Sequence, residues 1–255
     1  MTDTGPDFIS VGEGAAARRI AVRVREGAGP PVIWLGGFRS DMTATKAAAL
    51  DAWAAEKKRT LVRFDYAGHG ASGGTFAACT ISSWLEDAQA VLARYVTEPP
   101  ILVGSSMGGW IACLAARARA VGGQKTAGLV LVAPALDFTE DLIWSQLDEG
   151  ARAALLRHGV LQRPSDYAPE PDPITLALIE DGRRNRLLER PFDPACPVHI
   201  LQGMRDPDVP YQHALKTVGR LPAEGTVLTL IADGDHRLSR PQDIARLVAA
   251  VAGIA

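Results

Sequence analysis

Two adjacent serines lie between glycines in the segment GSSMG at residues 104–108. Only Ser106 has glycines two positions before and two positions after it, which is the G-x-S-x-G pattern of a nucleophile elbow. Around Ser105 the same positions hold Val103 and Met107, which are too bulky for a strained turn between a strand and a helix. The spacing predicts Ser106 as the nucleophile and Ser105 as a residue that shapes the turn. The alternative is a turn that only caps a helix.

A serine hydroxyl needs a neighbouring histidine to accept its proton before the oxygen can attack a carbonyl carbon. His236 follows the last strand-like run and precedes the last helix-like segment, so its loop is expected at the carboxyl edge of a sheet. His69 also follows a strand and could reach the same crevice, but we expect it to shape its loop. The other histidines are expected to be packed or solvated: His158, His199 and His213.

An aspartate must then orient the histidine. Asp206 and Asp208 both follow the apolar run at 197–201, which places them at the same predicted edge as His236. Asp206 is favoured because it is nearer to the end of the strand. Asp137, after the preceding strand, is a weaker alternative. Either choice gives the chain order Ser, Asp, His.

The oxyanion of an acyl-transfer intermediate needs hydrogen-bond donors. One donor is usually the backbone N–H of the residue after the nucleophile, and another comes from the loop after an early strand. The sequence Leu35-Gly36-Gly37-Phe38 ends such a strand, and its glycines allow the main chain to approach closely. We therefore predict the N–H groups of Met107 and Phe38 as the oxyanion hole.

The elements that must position these residues alternate along the chain. Short apolar runs predict strands at 18–25, 31–35, 60–64, 100–103, 128–133, 197–201 and 226–231. Helical periodicity predicts helices at 43–56, 82–95, 107–120, 211–218 and 240–251. This alternation indicates an α/β fold with a mostly parallel central sheet and helices on both faces.

The segment at about 137–194 breaks the alternation. It has no convincing strand, only helical stretches at 142–156 and 174–188 separated by Pro164, Pro169, Pro171 and Pro173. An insertion at the carboxyl ends of the strands would cover the crevice where ligands bind. We therefore expect one domain over residues 1–255 with a helical cap at 137–194, whose apolar side chains line an acyl pocket or simply pack on the core.

Composition narrows the possible partners. A net charge of −2 does not favour nucleic acid, and no apolar run is long enough for a membrane span. The N-terminus resembles neither a signal nor a transit peptide, and the three cysteines are widely spaced, which together favour the cytoplasm. No metal and no cofactor is expected, because the glycine patterns at 12–17 and 68–73 do not open a helix directly and no P-loop or HExxH motif occurs.

Several of these segments resemble the landmark motifs of the serine α/β-hydrolases. They are DYAGHGAS at 65–72, the elbow at 104–108, GMRD at 203–206 and GDH at 234–236. More narrowly, RFDY at 63–66, GGW at 108–110 and DHR at 235–237 are similar to the family of mitochondrial palmitoyl-protein thioesterases with acyl-glucuronide esterase activity and its bacterial relatives. The resemblance implies the α/β-hydrolase fold and assigns the same Ser106, Asp206 and His236.

The residues and the resemblance together predict a serine hydrolase. Its substrate would be a small-molecule ester or thioester, with an S-acylated protein as a further candidate, cleaved through an acyl-enzyme. Peptidase, lactonase or carbon–carbon hydrolase chemistry on the same fold is the first alternative, because one triad serves many acyl donors. A non-catalytic ligand receptor is the second.

Overall fold

An eight-stranded sheet forms the centre of the protein in a computed structural model that describes residues 5–165 and 170–254. Its strands are β1 (Asp7–Val11), β2 (Arg18–Arg25), β3 (Ala28–Leu35), β4 (Arg59–Phe64), β5 (Ile101–Ser105) and β6 (Gly128–Val132), with β9 (Val198–Gly203) and β10 (Thr226–Ile231). The order across the sheet is β1-β2-β4-β3-β5-β6-β9-β10. The β1–β2 and β2–β4 pairs are antiparallel, and every pairing from β4 to β10 is parallel. The predicted α/β class is confirmed.

The central strands are buried on both faces. Every residue of β5 and of β6 is buried, which explains why these strands appear in the sequence as continuous apolar runs rather than alternating ones. Along β3, Ile33 and Leu35 belong to one apolar cluster while Val32 and Trp34 belong to the other. The sheet therefore separates two cores, as the period of two along a strand requires.

Helices cover the two faces. They are α1 (Thr45–Lys57), α2 (Ile81–Tyr95), α3 (Met107–Val121), α6 (Tyr211–Val218) and α7 (Pro241–Ala252). The apolar side chains of α1 and α7 pack in one cluster, and those of α2 and α3 pack in the other. Each helix thus buries an apolar stripe against the sheet, and the elbow lies where β5 meets α3.

The expectation that 137–194 contains no strand is wrong. An antiparallel pair, β7 (Val160–Arg163) and β8 (Asp172–Thr175), forms a separate two-stranded sheet. Both strands are short, and Pro173 within β8 hides the strand pattern, because proline in a strand is tolerated only at an edge or a bulge. A two-stranded sheet consists of edges alone. Pro169, expected to interrupt this region, lies outside the described residues.

The helical stretches of this segment are also shorter than expected. The predicted helix at 142–156 begins instead as a π-helical turn (Thr139–Ile143) and a 3-10 turn (Trp144–Gln146), and α4 (Glu149–His158) starts only after Asp148 accepts from the amide of Ala151. The predicted helix at 174–188 is α5 (Leu176–Arg184), because Thr175 caps its start. Capping side chains, rather than apolar periodicity, set these boundaries.

Candidate active site

Ser106 occupies a strained turn between β5 and α3. Its backbone has φ 54° and ψ −119°, a region that non-glycine residues rarely adopt. The turn is held on both sides, since the Ser106 amide donates to the carbonyl of Val132 at 2.9 Å and the Ser106 carbonyl accepts from the amide of Ala135 at 3.1 Å. Both partners lie at the end of β6 or just beyond it, so the neighbouring strand fixes the position of the serine.

The glycines of the elbow are required by close packing. A Cβ atom on Gly104 would collide with the backbone of Gly108, and one on Gly108 would collide with the carbonyls of Leu35 and Gly36. Ser105 is the last residue of β5 and is only 7% exposed. The glycine pattern thus has a steric cause. Of the two serines, only Ser106 has its hydroxyl beside a histidine.

Ser106, His236 and Asp206 form a hydrogen-bonded line. Nε2 of His236 lies 3.2 Å from Oγ of Ser106, and Nδ1 lies 2.8 Å from Oδ2 of Asp206. These partners imply the tautomer in which Nδ1–H donates to the carboxylate and Nε2 accepts from the serine hydroxyl. In this arrangement the imidazole can take the hydroxyl proton while the carboxylate holds the ring in place.

Asp206 is buried and accepts hydrogen bonds from several donors. Its Oδ1 accepts from the amides of Asp208 (2.9 Å) and Val209 (2.8 Å), and its Oδ2 accepts from Nε2 of Gln202 (3.1 Å) as well as from His236. The side chain is therefore fixed, and both oxygens have their hydrogen-bonding capacity in use. Asp208, the alternative acid, supports Asp206 through its backbone amide.

Asp137, the other alternative acid, anchors another segment of the chain. Its carboxylate accepts from the amides of Leu187 (2.8 Å) and Leu188 (2.8 Å), and it is fully buried. Burial raises the pKa of this carboxyl, which these amide donors oppose. Asp137 thus ties the end of β6 to the chain that follows α5, and it makes no hydrogen bond with His236 among the described residues.

The predicted oxyanion residues lie beside Ser106. Phe38 and Met107 line the same cavity as Ser106 and His236. The loop before Phe38 packs closely on the elbow, because a Cβ on Gly37 would lie 3.4 Å from the Cβ of Ser106. Among the described residues, no hydrogen bond uses the amide of Phe38 or Met107. Both N–H groups are thus available to an incoming oxygen.

His69 makes hydrogen bonds that hold the loop containing Phe38 and Arg39. Its Nε2 accepts from the amide of Arg39 at 3.1 Å, and its Nδ1 donates to the carbonyl of Ala67 at 3.1 Å. The ring is 4% exposed, and burial lowers the pKa of His69 to about 4. The imidazole therefore stays neutral near pH 7, the state in which Nε2 can accept. This agrees with a loop-shaping role.

Lys46 contacts the loop of His236, and no sequence pattern indicates this contact. From α1, its Nζ donates to the carbonyl of Arg237 at 2.5 Å. Burial lowers the pKa of Lys46 to about 8, although Asp235 acts in the opposite direction. A lysine in a helical pattern is most simply interpreted as a solvated side chain, so only the tertiary contact identifies it.

A small cavity with a mixed apolar and polar lining opens beside Ser106. Its volume is about 150 Å³, and core and cap residues line it together. Of the predicted cap residues, Leu142 and Ile143 line the cavity, Trp144, Leu147 and Leu155 pack on the core cluster, and Leu156 is 59% exposed. A larger open groove of about 750 Å³ lies at the ends of α2 and α3, and neither Ser106 nor His236 lines it.

Asp206, Asp208 and His236 are also residue types that bind metal ions. The ligand atoms of Asp206, Asp208 and His236 lie within 4.8 Å of one another. The buried carboxylate of Asp206 already accepts hydrogen bonds at both oxygens, and His236 bridges it to a serine hydroxyl. This donor set fits a hydrogen-bonded proton-transfer chain better than a metal centre.

The fold and the elbow define the class of protein. Residues 15–247 match the family described as the alpha/beta hydrolase family. The chain belongs to the alpha/beta hydrolase family. No helix of the described residues is long and apolar enough to cross a membrane.

More specific similarity points to one group within this family. Palmitoyl-protein thioesterase ABHD10, mitochondrial, from Bos taurus is 33% identical over 230 residues, which cover 90% of this chain and 74% of the relative. The solved alpha/beta hydrolase domain-containing protein 10 from mouse has 29% identity and a TM-score of 0.86, covering 97% of this chain and 98% of its own. A solved structure from Agrobacterium vitis S4 has 54% identity and a TM-score of 0.95, with 98% of both chains covered.

These similarities confirm the resemblance stated from the sequence motifs. The mammalian relatives are described as mitochondrial, so the cytoplasmic location favoured by composition stays a prediction for this chain.

Proposed function

We propose that this protein is a serine hydrolase that cleaves carboxylic esters or thioesters through an acyl-enzyme. The observation that carries the proposal is the line from Ser106 to His236 to Asp206, with distances of 3.2 and 2.8 Å, at a strained elbow beside a small cavity. The thioesterase relatives support the ester or thioester class. We also propose one domain over residues 1–255, in which 137–194 forms a cap over the site.

The first half of the reaction forms the acyl-enzyme. Nε2 of His236 takes the proton of Ser106, and Oγ of Ser106 attacks the acyl carbon. The amides of Phe38 and Met107 donate to the resulting oxyanion, and each such donor contributes on the order of 3 kcal/mol in the transition state. Asp206 stabilises the imidazolium. His236 then protonates the leaving alcohol or thiol, and the tetrahedral intermediate collapses to a serine ester.

The second half releases the acid. A water molecule gives a proton to Nε2 of His236 and attacks the acyl carbon, and the new oxyanion uses the same two amides. Collapse returns the electron pair to Oγ of Ser106, which regains its proton from His236. The products are a carboxylic acid and the free enzyme, and none of these steps uses a metal or a cofactor.

A fluorophosphonate probe tests the nucleophile. We expect the wild type to be labelled and Ser106→Ala to lose labelling entirely. Ser105→Ala is the matched control, because it removes the same hydroxyl one residue away, and its labelling should stay close to wild type. Labelling of Ser106→Ala at the wild-type rate would refute Ser106 as the nucleophile.

A substrate panel tests the reaction class. We expect turnover of p-nitrophenyl esters and of acyl-cysteine thioesters, including an S-acylated peptide. Aminoacyl amide turnover without ester turnover would instead favour the peptidase alternative. Tight ligand binding by a folded protein that is not labelled would favour the receptor alternative, which requires no reactive serine.

A further inference from the structure

The cavity beside Ser106 is small and open on one side, and its lining combines apolar side chains with polar ones such as Arg163, Asp172 and Asp208. The core contributes Phe38, Met107, Ala135 and Val209, and the segment at 137–194 contributes Phe138 at its start. Leu142, Ile143 and Ile174 complete the wall from the segment at 137–194. Ile143 is 5% exposed and Ile174 is 1% exposed, so both are packed in the structure rather than displayed on its surface.

The volume limits the acyl group that can enter. A cavity of about 150 Å³ corresponds to a site that holds roughly one benzene molecule. Pockets that enclose drug-sized ligands are larger, at roughly 300–1,000 Å³. A long-chain fatty acyl group is far larger than benzene, so the cavity can hold only part of it unless its walls move, and the rest of the chain would stay outside.

Buried polar contacts fix those walls. Asp181 of α5 accepts from both the amide (2.7 Å) and the hydroxyl (2.8 Å) of Ser82 at the start of α2. Nε2 of His213 lies 2.7 Å from the carbonyl of Leu136. The carboxylate of Asp137 holds the chain that follows α5, as described above. Enlarging the cavity by lifting the cap would separate Asp181 from Ser82 and leave this buried carboxylate without those two donors, which is costly.

Contacts at the cavity itself also hold the cap against the core. Nε of Arg39 lies 3.2 Å from Oδ1 of Asp172 in β8. This contact joins the loop that carries Phe38 and Arg39 to the strand that carries Ile174. The ring of Phe138 packs edge-on against Phe38 with centroids 5.7 Å apart. The wall on the cap side and the wall on the core side therefore support each other.

We infer that this site selects short aliphatic or single-ring aromatic acyl groups and excludes long-chain ones, with Ile143 and Ile174 setting the limit. The inference rests on the proposed function, because it concerns the acyl group that Ser106 receives. It distinguishes this chain from what the names of its palmitoyl-protein thioesterase relatives suggest.

A chain-length series tests the inference. The substrates are p-nitrophenyl esters from acetate to decanoate together with p-nitrophenyl benzoate, and the measured quantity is kcat/KM. For the wild type we expect a maximum at short chains or benzoate and a fall of about tenfold or more from butanoate to decanoate, since apolar pockets discriminate by about tenfold or more for each misfitting methylene. Decanoate hydrolysed as fast as butanoate would overturn the inference.

Variants identify the limiting residues. Ile143→Ala and Ile174→Ala should each raise the decanoate-to-butanoate ratio of kcat/KM by about tenfold. Ile179→Ala is the matched control, because it is the same truncation at a fully buried position of α5 that does not line the cavity, and its ratio should stay at the wild-type value. Ile143→Val is the milder variant to use if the alanine variants do not fold. An unchanged ratio in folded cavity variants would refute the assignment of the limit to these residues.

The two proposals fail in different ways. Fluorophosphonate labelling of Ser106 with hydrolysis that is best for long chains refutes only the acyl-size inference. Absence of labelling and of hydrolysis for every ester refutes the proposed function, and the acyl-size inference with it.

Discussion

Replacing His69 with phenylalanine removes one buried hydrogen-bond acceptor while an aromatic ring is kept. The His69 ring packs edge-on with Tyr66, Phe76 and Trp84 at centroid distances of 5.8, 5.1 and 5.5 Å, and a phenyl ring can keep these contacts. The carbonyl of Ala67 also keeps a donor, the indole N–H of Trp84 at 3.1 Å. The group that loses its partner is the amide of Arg39.

The size of the effect follows from that one amide and from the pKa of the imidazole. Above pH 6.5, an unsatisfied amide should lower the free energy of unfolding by about 1–3 kcal/mol. Between pH 6.5 and about 4 the unfolded wild type binds a proton at His69 that the folded protein does not bind. Wild-type stability therefore falls as the pH falls through this window, by on the order of 3 kcal/mol at about 1.4 kcal/mol for each pH unit.

His69→Phe has no such proton to bind, so the stability advantage of the wild type should shrink as the pH falls and should vanish or change sign near pH 4. The measurement is urea unfolding followed by tryptophan fluorescence at several pH values across the window. His158→Phe, which changes an exposed histidine at the end of α4, is the control and should stay close to wild type throughout. A stability advantage of the wild type over His69→Phe that is constant, or that grows toward pH 4, would refute the reasoning.

The same variant should lose activity near neutral pH. In the wild type, His69 accepts a hydrogen bond from the amide of Arg39, the residue after Phe38. The variant lacks this bond, so the loop that carries the Phe38 amide loses a contact that holds it in place. We expect kcat/KM for a short-chain ester to fall about tenfold, which is less than the roughly hundredfold or greater loss when an oxyanion donor is removed outright. His69→Gln, whose amide oxygen can accept from Arg39, should recover part of this loss.

Four other substitutions probe separate contacts. Gly108→Ala forces a Cβ against the end of β3 and should destabilise the protein by about 1–3 kcal/mol in urea unfolding, with slower fluorophosphonate labelling. Asp137→Ala should lower stability by about 2 kcal/mol yet leave labelling of the folded protein intact, whereas Asp206→Ala should abolish rapid labelling. Lys46→Met releases the carbonyl of Arg237 and should lower kcat more than it raises KM in steady-state assays.

The central sheet and the residues proposed for catalysis were predictable from the sequence because their signals are local. Glycine spacing around Ser106 reflects collisions within a few residues of the turn. The loops of Asp206 and His236 follow apolar runs that are strands in the structure. Parallel strands bring such loops to one edge whatever the remaining chain does.

The edge strand and the cap pattern were not predictable in the same way. β1 has only one fully buried residue, Val11, and its alternation is too weak to distinguish it from a loop. The β7–β8 pair contains Pro173, and the start of α5 depends on the Thr175 side chain. These choices are set by contacts with the rest of the molecule rather than by apolar periodicity.

The roles of Asp137 and Lys46 depend entirely on tertiary contacts. An aspartate after a strand fits either a catalytic acid or an anchor, and only the amides of Leu187 and Leu188 decide between them. The lysine contacts a carbonyl that lies 191 residues away along the chain. Neither partner can be inferred from the residues nearby in sequence.

The attachment of Ser106 to β6 has a consequence for when reactivity can arise during folding. The positive φ of Ser106 is unfavourable in an isolated chain and persists because Val132, Ala135 and the end of β3 hold the turn. These partners come from two separate stretches of sequence, and the second lies beyond α3, so no fragment ending within α3 contains them all. A chain emerging from the ribosome would therefore hold Ser106 in an ordinary backbone conformation until β6 has been made and has paired with β5, and the proposed partners Asp206 and His236 are made later still.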